Sequence, residues 1–342
     1  MLSPQKRVIG KRFTLIFSII CLLGAASWLV FGNNEIHQSG PIHNVTIAIP
    51  AQISAGALYV GRDQKFFEKH GLNLTIQPFL LGKQALQSTL QGKADLAILA
   101  ETPFMLAVIN GEKIATVATI FGSRRSMAVV ARKDRGIDKA EDLSGKTIGT
   151  IFGTNAQFFV DTLLTAHSIT KSSVKIVYLK PETLVEALKN GEVDAVTVWH
   201  PDLAELEQAL ANRVVTIYDE DIFVYRFILV GKQDYLDKHA AEVRQTLAAI
   251  EEATRFIREQ PARAKITISK ALSMDSVLLS KTFDPNDFYL TLDQTLLLAL
   301  SDETRWAMKQ GIVPAGPVPN YLNYIRQEPL ESVLPSAIKI IK

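Results

Sequence analysis

A chain of 342 residues has material for about two ordinary domains, and its 47% hydrophobic content supports large cores and excludes global disorder. Its 37 basic and 35 acidic residues leave a net charge of +2, which excludes the basic stripe of a nucleic-acid binder. The single cysteine, Cys21, leaves the rest of the chain without a disulfide, a thiolate nucleophile or a cysteine metal site.

The N-terminus speaks to location. Lys6, Arg7, Lys11 and Arg12 make residues 1–12 a basic region ahead of an uncharged run from Phe13 to Phe31. At ~1.5 Å per helical residue the run spans about 28 Å, close to a bilayer's hydrocarbon thickness. Basic residues before it and few just after it place the N-terminus inside and the body outside. Residues 13–31 read as a transmembrane anchor, or as a signal segment cleaved near Ala25-Ala26-Ser27 or Val30-Phe31-Gly32. Cys21 lacks the small residues of a lipoprotein cleavage box before it. Residues 32–44, polar and carrying Gly40-Pro41, form a linker. The body is expected to be periplasmic or otherwise extracytoplasmic, and held at the inner membrane where the N-terminal segment is retained.

Val45–Ile49 alternates and stops at Pro50, which predicts a first strand. A small-residue turn with Gln52 and Ser54 follows, and Ser54 is the expected N-cap of a helix from Gly56 to Lys69-His70-Gly71. Asn73–Phe79 reads as a strand. Leu86 and Leu90 mark a helix ended by Gly92, and Leu96–Ala100 is a buried strand leading to a polar turn, Glu101-Thr102-Pro103. An apolar helix is expected from Met105 to Asn110, then strands at Ile114–Ile120 and Met127–Ala131 with the loop Phe121–Ser126 between them. Ser144-Gly145-Lys146-Thr147 precedes a strand and lacks the first glycine of a phosphate loop, so it reads as a turn. Farther on come strands at Lys146–Thr150, Val174–Leu179 and Val214–Ile217 and helices around Phe158–Leu163 and after Pro181. The long apolar stretch Phe223–Val230 reads as a return crossover and Val243–Ile257 as an amphipathic helix. A tail from Gly311 is expected to wrap over the first half.

One pattern occurs twice. Gly92-Lys-Ala-Asp95, a buried strand and Pro103 recur about 100 residues later as Gly191-Glu-Val-Asp194, a buried strand and Pro201. That period is far too long for a solenoid. It predicts two similar α/β lobes, the first from residues 45–126 and 227–342 and the second from 127–226. In open α/β sheets ligands bind at the C-terminal strand edges, which points to Glu101-Thr102 and to Trp199-His200.

These residues also carry a resemblance. Gly71-Leu72 after Phe66-Phe67-Glu68, Gly92–Asp95 before Glu101-Thr-Pro103, Asp142-Leu-Ser-Gly-Lys146 leading to Gly153-Thr154-Asn155, and Gly191–Asp194 before Trp199-His200-Pro201 stand in a shared order. From about Val45 to Lys342 the chain resembles the solute-binding proteins of ABC importers for nitrate, aliphatic sulfonates, taurine and thiamine precursors. The resemblance implies a type II periplasmic binding fold, two Rossmann-like lobes joined by two crossovers with the solute in the cleft. It also implies an ABC permease and its ATPase as partners, a monomer, no catalysis and no cofactor.

The candidate ligand-binding residues are Gln52, Ser54, Gly56, Glu101, Thr102, Arg124, Thr154, Asn155, Trp199, His200 and Arg226. Gly56 and Asn155 stand at helix starts, where free N–H groups favour an anion. Arg124 reads as the anion's charge partner or as a solvated loop arginine, and Arg226 as a ligand contact or an interlobe salt bridge. Trp199 stacks on the ligand or packs the wall. His200 has no second histidine at metal-ligand spacing. Glu101 either suits a zwitterion such as an amino sulfonate or pairs with its own neighbours. Alternatives are a binder of a thiamine pyrimidine or similar heterocycle, stacked on Trp199 or Tyr225, and a membrane-anchored sensor. The thiamine-pyrimidine synthase branch of the same fold carries a cysteine-rich motif that this body lacks.

Overall fold

The computed structural model describes residues 42–280 and 282–341. The basic region 1–12, the apolar run 13–31 and the linker before Ile42 lie outside the described residues. Among the described residues no helix is long and apolar enough to cross a membrane.

Two sheets carry the fold. The first contains β1 (His43–Pro50), β2 (Leu72–Phe79), β3 (Leu96–Ala100) and β4 (Ile114–Ser123). The second contains β5 (Met127–Arg132), β6 (Thr147–Thr150), β7 (Lys175–Tyr178), β8 (Ala195–Trp199) and β9 (Val214–Ile217). The chain then returns to the first sheet with β10 (Tyr225–Lys232), β11 (Phe288–Asp293) and β12 (Ile338–Lys339). The strand orders are β12-β11-β4-β10-β3-β1-β2 and β7-β6-β8-β5-β9. Thus β2-β1-β3-β10-β4 in one sheet repeats β7-β6-β8-β5-β9 in the other. In each, the strand that runs antiparallel to its neighbours, β10 or β5, is the one the chain enters on crossing between the sheets.

The repeated glycine and aspartate have one physical explanation. Gly92 and Gly191 end their helices in the left-handed region, at φ 72° and 74°. Three residues on, Asp95 Oδ2 accepts from Thr46 N at 2.7 Å and Asp194 Oδ2 accepts from Thr147 N at 2.8 Å. Backbone bonds of 2.9 Å from Asp95 N to Thr46 O and from Asp194 N to Thr147 O complete each clamp. Each aspartate therefore ties the start of its buried strand to the first strand of its own sheet. Those central strands, β3 and β8, are buried along their whole length.

Three expectations change. The helix from Gly56 breaks into Gly56–Asp63 and Phe66–Lys69, with Lys65 in the left-handed region between them. The break swings Phe67 into the core, where its ring leaves no room for a side chain on Gly61; a Cβ there would lie 2.6 Å from Phe67 Cε2. Ser54 is not the cap: it lies inside a 3-10 turn, Ile53–Ala55, and Ala55 holds the cap position. The polar turn after β3 is absent, because a helix, Glu101–Ile109, begins directly at the strand's end. Pro103 in its first turn gives up an N–H that has no helical partner there. Beyond residue 261, β11 and the helix Gln294–Lys309 add elements that had no counterpart in the sequence reading. The tail does lie over the first sheet, with Arg326 N donating to Thr116 O at 2.9 Å.

Candidate functional site

The C-terminal ends of β1, β3, β6 and β8 deliver Gln52, Glu101, Thr154-Asn155 and Trp199 to the seam between the two sheets. There a cavity of about 30 Å³ is lined by Gln52, Lys83, Thr154, Asn155, Trp199 and Tyr225 together with the helix-start residues Leu81, Ala100 and Gly153. Trp199 and Tyr225 face each other nearly parallel, with ring centroids 6.3 Å apart and planes 18° off, and form an aromatic wall. The Tyr225 hydroxyl donates to Gln52 Oε1 at 3.3 Å. Trp199 is thus both a cavity wall and a packing partner.

Three helices begin at this cavity: Gly82–Leu90, Glu101–Ile109 and Asn155–Ala166. Their cap residues Leu81, Ala100 and Thr154 line it, and none supplies a side-chain acceptor to the helix. Thr154 instead donates its hydroxyl to Ile151 O at 2.8 Å. Each start offers N–H donors and a partial positive charge, worth ~0.3–1 kcal/mol to an anion. Lys83, exposed in the first turn of its helix, adds a full positive charge where the helix dipole disfavours one. Gly82 brings that helix close: a Cβ on it would lie 3.0 Å from Leu99 Cβ and 3.1 Å from Leu99 Cα.

Glu101 is fully buried and holds two partners. Arg226 Nη1 donates to Oε1 at 3.2 Å, and Asn155 Nδ2, from the other half, donates to Oε2 at 3.3 Å. Burial raises the Glu101 carboxyl above its ordinary pKa, and the Arg226 guanidinium opposes that rise. Behind it stands Glu303, on the helix Gln294–Lys309. Burial first, and the charge of Glu101 second, push the Glu303 carboxyl well above its ordinary value.

The other predicted residues sit apart from the small cavity. Ser54 is buried beside it with its hydroxyl unpartnered among the described residues. Gly56 serves packing, since a Cβ there would lie 2.8 Å from both Ile268 Cδ1 and Phe288 Cε1. Thr102 is buried against Glu303 without a hydrogen bond of good geometry. His200 is buried, and desolvation lowers its pKa to about 4, so the ring is neutral at pH 7. Arg124 donates to the Glu220 carbonyl, while Arg125 reaches Glu220 Oε1 at 2.5 Å and lies over the Tyr218 ring at 4.6 Å. The two arginines brace one crossover against the other. Lys83 and Glu303 were not among the sequence candidates. A lysine in a helix's first turn after Gly82 is a readable signal for the former; nothing local marks the latter.

A family described as NMT1/THI5 like matches residues 52–264, more than half the chain. The chain belongs to that family. The taurine-binding periplasmic protein of Escherichia coli K12 is 26% identical over 235 residues, covering 65% of this chain and 67% of its own length. Among solved structures, the periplasmic aliphatic sulphonate binding protein of Escherichia coli superposes with a TM-score of 0.73 at 16% identity, over 83% of this chain and 97% of that one. A desulfurization enzyme superposes with a TM-score of 0.67 at 15% identity, over 86% and 99%. The fold is therefore the periplasmic binding protein fold, which an enzyme also uses.

Proposed function

We propose that this member of the family is the extracytoplasmic solute-binding component of an ABC importer, and that it captures a small anion or zwitterion of the sulfonate, taurine or nitrate type. It delivers its solute to a permease and ATPase and carries out no chemistry on it. The observation that supports this reading is the convergence of three helix N-termini without side-chain caps, with Lys83 at the rim, on one cavity between the sheets. Relatives named for taurine and aliphatic sulfonates support a solute with an anionic group.

The cavity, at about 30 Å³, has room for about one or two waters and not for an organic solute. Capture then requires the halves to part and close again about the crossovers at residues 124–126 and 218–224. Asn155 of one half and Glu101 of the other make one contact that closure forms and opening breaks.

The test is a thermal-shift series on the full-length chain with taurine, ethanesulfonate, nitrate and a thiamine pyrimidine. A solute at 100 times its Kd adds ~2.7 kcal/mol of stability. A shift with a sulfonate or nitrate that Lys83→Glu weakens supports the reading. A shift with the pyrimidine alone would overturn it in favour of the heterocycle, stacked on the Trp199–Tyr225 wall.

A further inference from the structure

The helix Asn155–Ala166 begins at the cavity with Asn155 and ends at His167, which holds its C-cap. The His167 ring is flanked on both sides by carboxylates. Its Nδ1 lies 3.1 Å from Glu141 Oε1, on the turn Ala140–Leu143, and its Nε2 lies 3.0 Å from Asp219 Oδ2, in the second crossover. A neutral imidazole has one N–H and one acceptor nitrogen, so it serves only one of two carboxylates. The imidazolium serves both.

Burial lowers the His167 pKa, but the bonds to Glu141 and Asp219, with their charges, outweigh it and leave the ring raised above 6.5. The C-terminal end of the helix favours the cation as well. Around the ring, Lys139 stands beside Glu141, and Asp142 accepts from the backbone N–H groups of Asp138 and Lys139. In the crossover, Arg125 holds Glu220, Arg124 donates to the Glu220 carbonyl, and Asp221 is exposed. On the helix itself Asp161 holds Lys171 and Trp306. Asp142, Glu220 and Asp161 thus have partners of their own, and Glu141 and Asp219 set the charge of the ring.

We propose that His167 is a proton-operated clasp on the hinge. Charged, it fastens the second crossover at Asp219 to the helix that carries Asn155; neutral, it loosens that fastening and lets the halves part more widely. On losing the proton, the bond to Asp219 falls from an ion pair to, at most, a neutral N–H donating to a carboxylate, and the other tautomer has no donor there. The free stretch of the crossover then begins at Tyr218 instead of beyond Asp219. A histidine raised in the fold contributes its full stability below the unfolded pKa, and that contribution is lost as pH rises through the folded one. The clasp therefore works fully below about 6.5 and fails on the alkaline side of it. The effect on parting rests on the hinge reading of the proposed function, whereas the proton site stands on the two bonds.

The experiment uses the full-length chain without solute, as wild type and Asp219→Asn. Magnetic resonance of the imidazole C–H groups follows the six histidines, and the signal missing from His167→Gln identifies the ring. Its midpoint is expected above 6.5 in wild type. In Asp219→Asn it should fall by about half a unit or more, since an opposite charge at bonding distance shifts a pKa by about one unit and solvent screens part of that. Small-angle scattering at about pH 6.5 and 8.5, on either side of the raised midpoint, then reads the parting. The wild-type radius of gyration should grow with pH, and Asp219→Asn should show the larger radius at both. Asp202 and Asp287, pushed up to about 6 by burial, remain in both proteins, so the comparison isolates the clasp. If Asp219→Asn does not fold, Glu141→Gln is expected to lower the same midpoint. A wild-type midpoint at or below 6.5, or one that neither variant moves, overturns the assignment. So does a wild-type radius indifferent to pH, or one that grows equally in Asp219→Asn. No thermal shift with any solute, beside a radius that follows the His167 charge, would sink the proposed function and keep the clasp. A solute shift beside a flat radius would sink the clasp alone.

Discussion

Glu303 makes a prediction about stability that needs no ligand. Burial first, and the neighbouring Glu101 charge second, raise its carboxyl in the fold well above the ordinary 4.5 of an unfolded chain. A carboxyl raised in the folded state contributes its full stability below the unfolded pKa and loses it progressively as pH rises. While the folded protein keeps the proton, each pH unit above about 5 costs about 1.4 kcal/mol. From pH 5 to pH 7 the loss is at most about 2.5 kcal/mol, allowing for the partly protonated unfolded chain at pH 5. Glu303→Gln cannot ionise, so its stability should fall less over that interval. The difference between variant and wild type should therefore move in the variant's favour by up to that amount. Urea unfolding at pH 5, 6 and 7 measures it, with the slope against denaturant checked for constancy. Glu101 and Arg226 remain in both proteins, so the comparison isolates position 303. Parallel stability curves for the two proteins would refute the reasoning and show that the carboxyl is ionised in the fold.

Other predictions follow from the geometry. Asp95→Ala and Asp194→Ala each remove the acceptor for a strand N–H, and each should cost about 1–3 kcal/mol in chemical denaturation; a loss at only one site would break the equivalence of the two clamps. Gly82→Ala drives a methyl against the Leu99 backbone, and should destabilise by about 1–3 kcal/mol and weaken solute binding measured by titration. Trp306→Phe deletes the buried bond to Asp161 between the halves, worth about 1.5–3 kcal/mol with a charged acceptor. The solute-free variant should then show a larger radius of gyration by small-angle scattering, and an unchanged radius would remove that bond from the closing contacts.

Much of the fold was legible because its signals are local. Alternation at Val45–Ile49, the unbroken apolar runs of β3 and β8, and glycine at each helix end are consequences of backbone geometry that a few neighbouring residues express. The repeat was legible for the same reason: Gly92–Asp95 and Gly191–Asp194 each finish a helix and clamp a strand within a span of about 50 residues. Strand β11 and the helix Gln294–Lys309 escaped because their partners, β4 and the helix Glu101–Ile109, lie well over 100 residues earlier.

The site divides along the same line. That strand ends and helix starts at Gln52, Glu101, Thr154-Asn155 and Trp199 would gather at one edge follows from chain order, since parallel strands with helical crossovers put their C-terminal ends together. Which of those groups touch each other does not follow. Arg226 reaches Glu101 only because β10 runs back through the first sheet, and Arg124 turns to Glu220 because the two crossovers lie side by side. Glu303 looks in sequence like any helix-surface glutamate. Burial against Thr102 and Glu101 alone raises its pKa well above the ordinary carboxyl value. Sequence determined which elements exist and where their reactive ends point; tertiary structure decided the charges, because burial and pairing depend on contacts between segments distant along the chain.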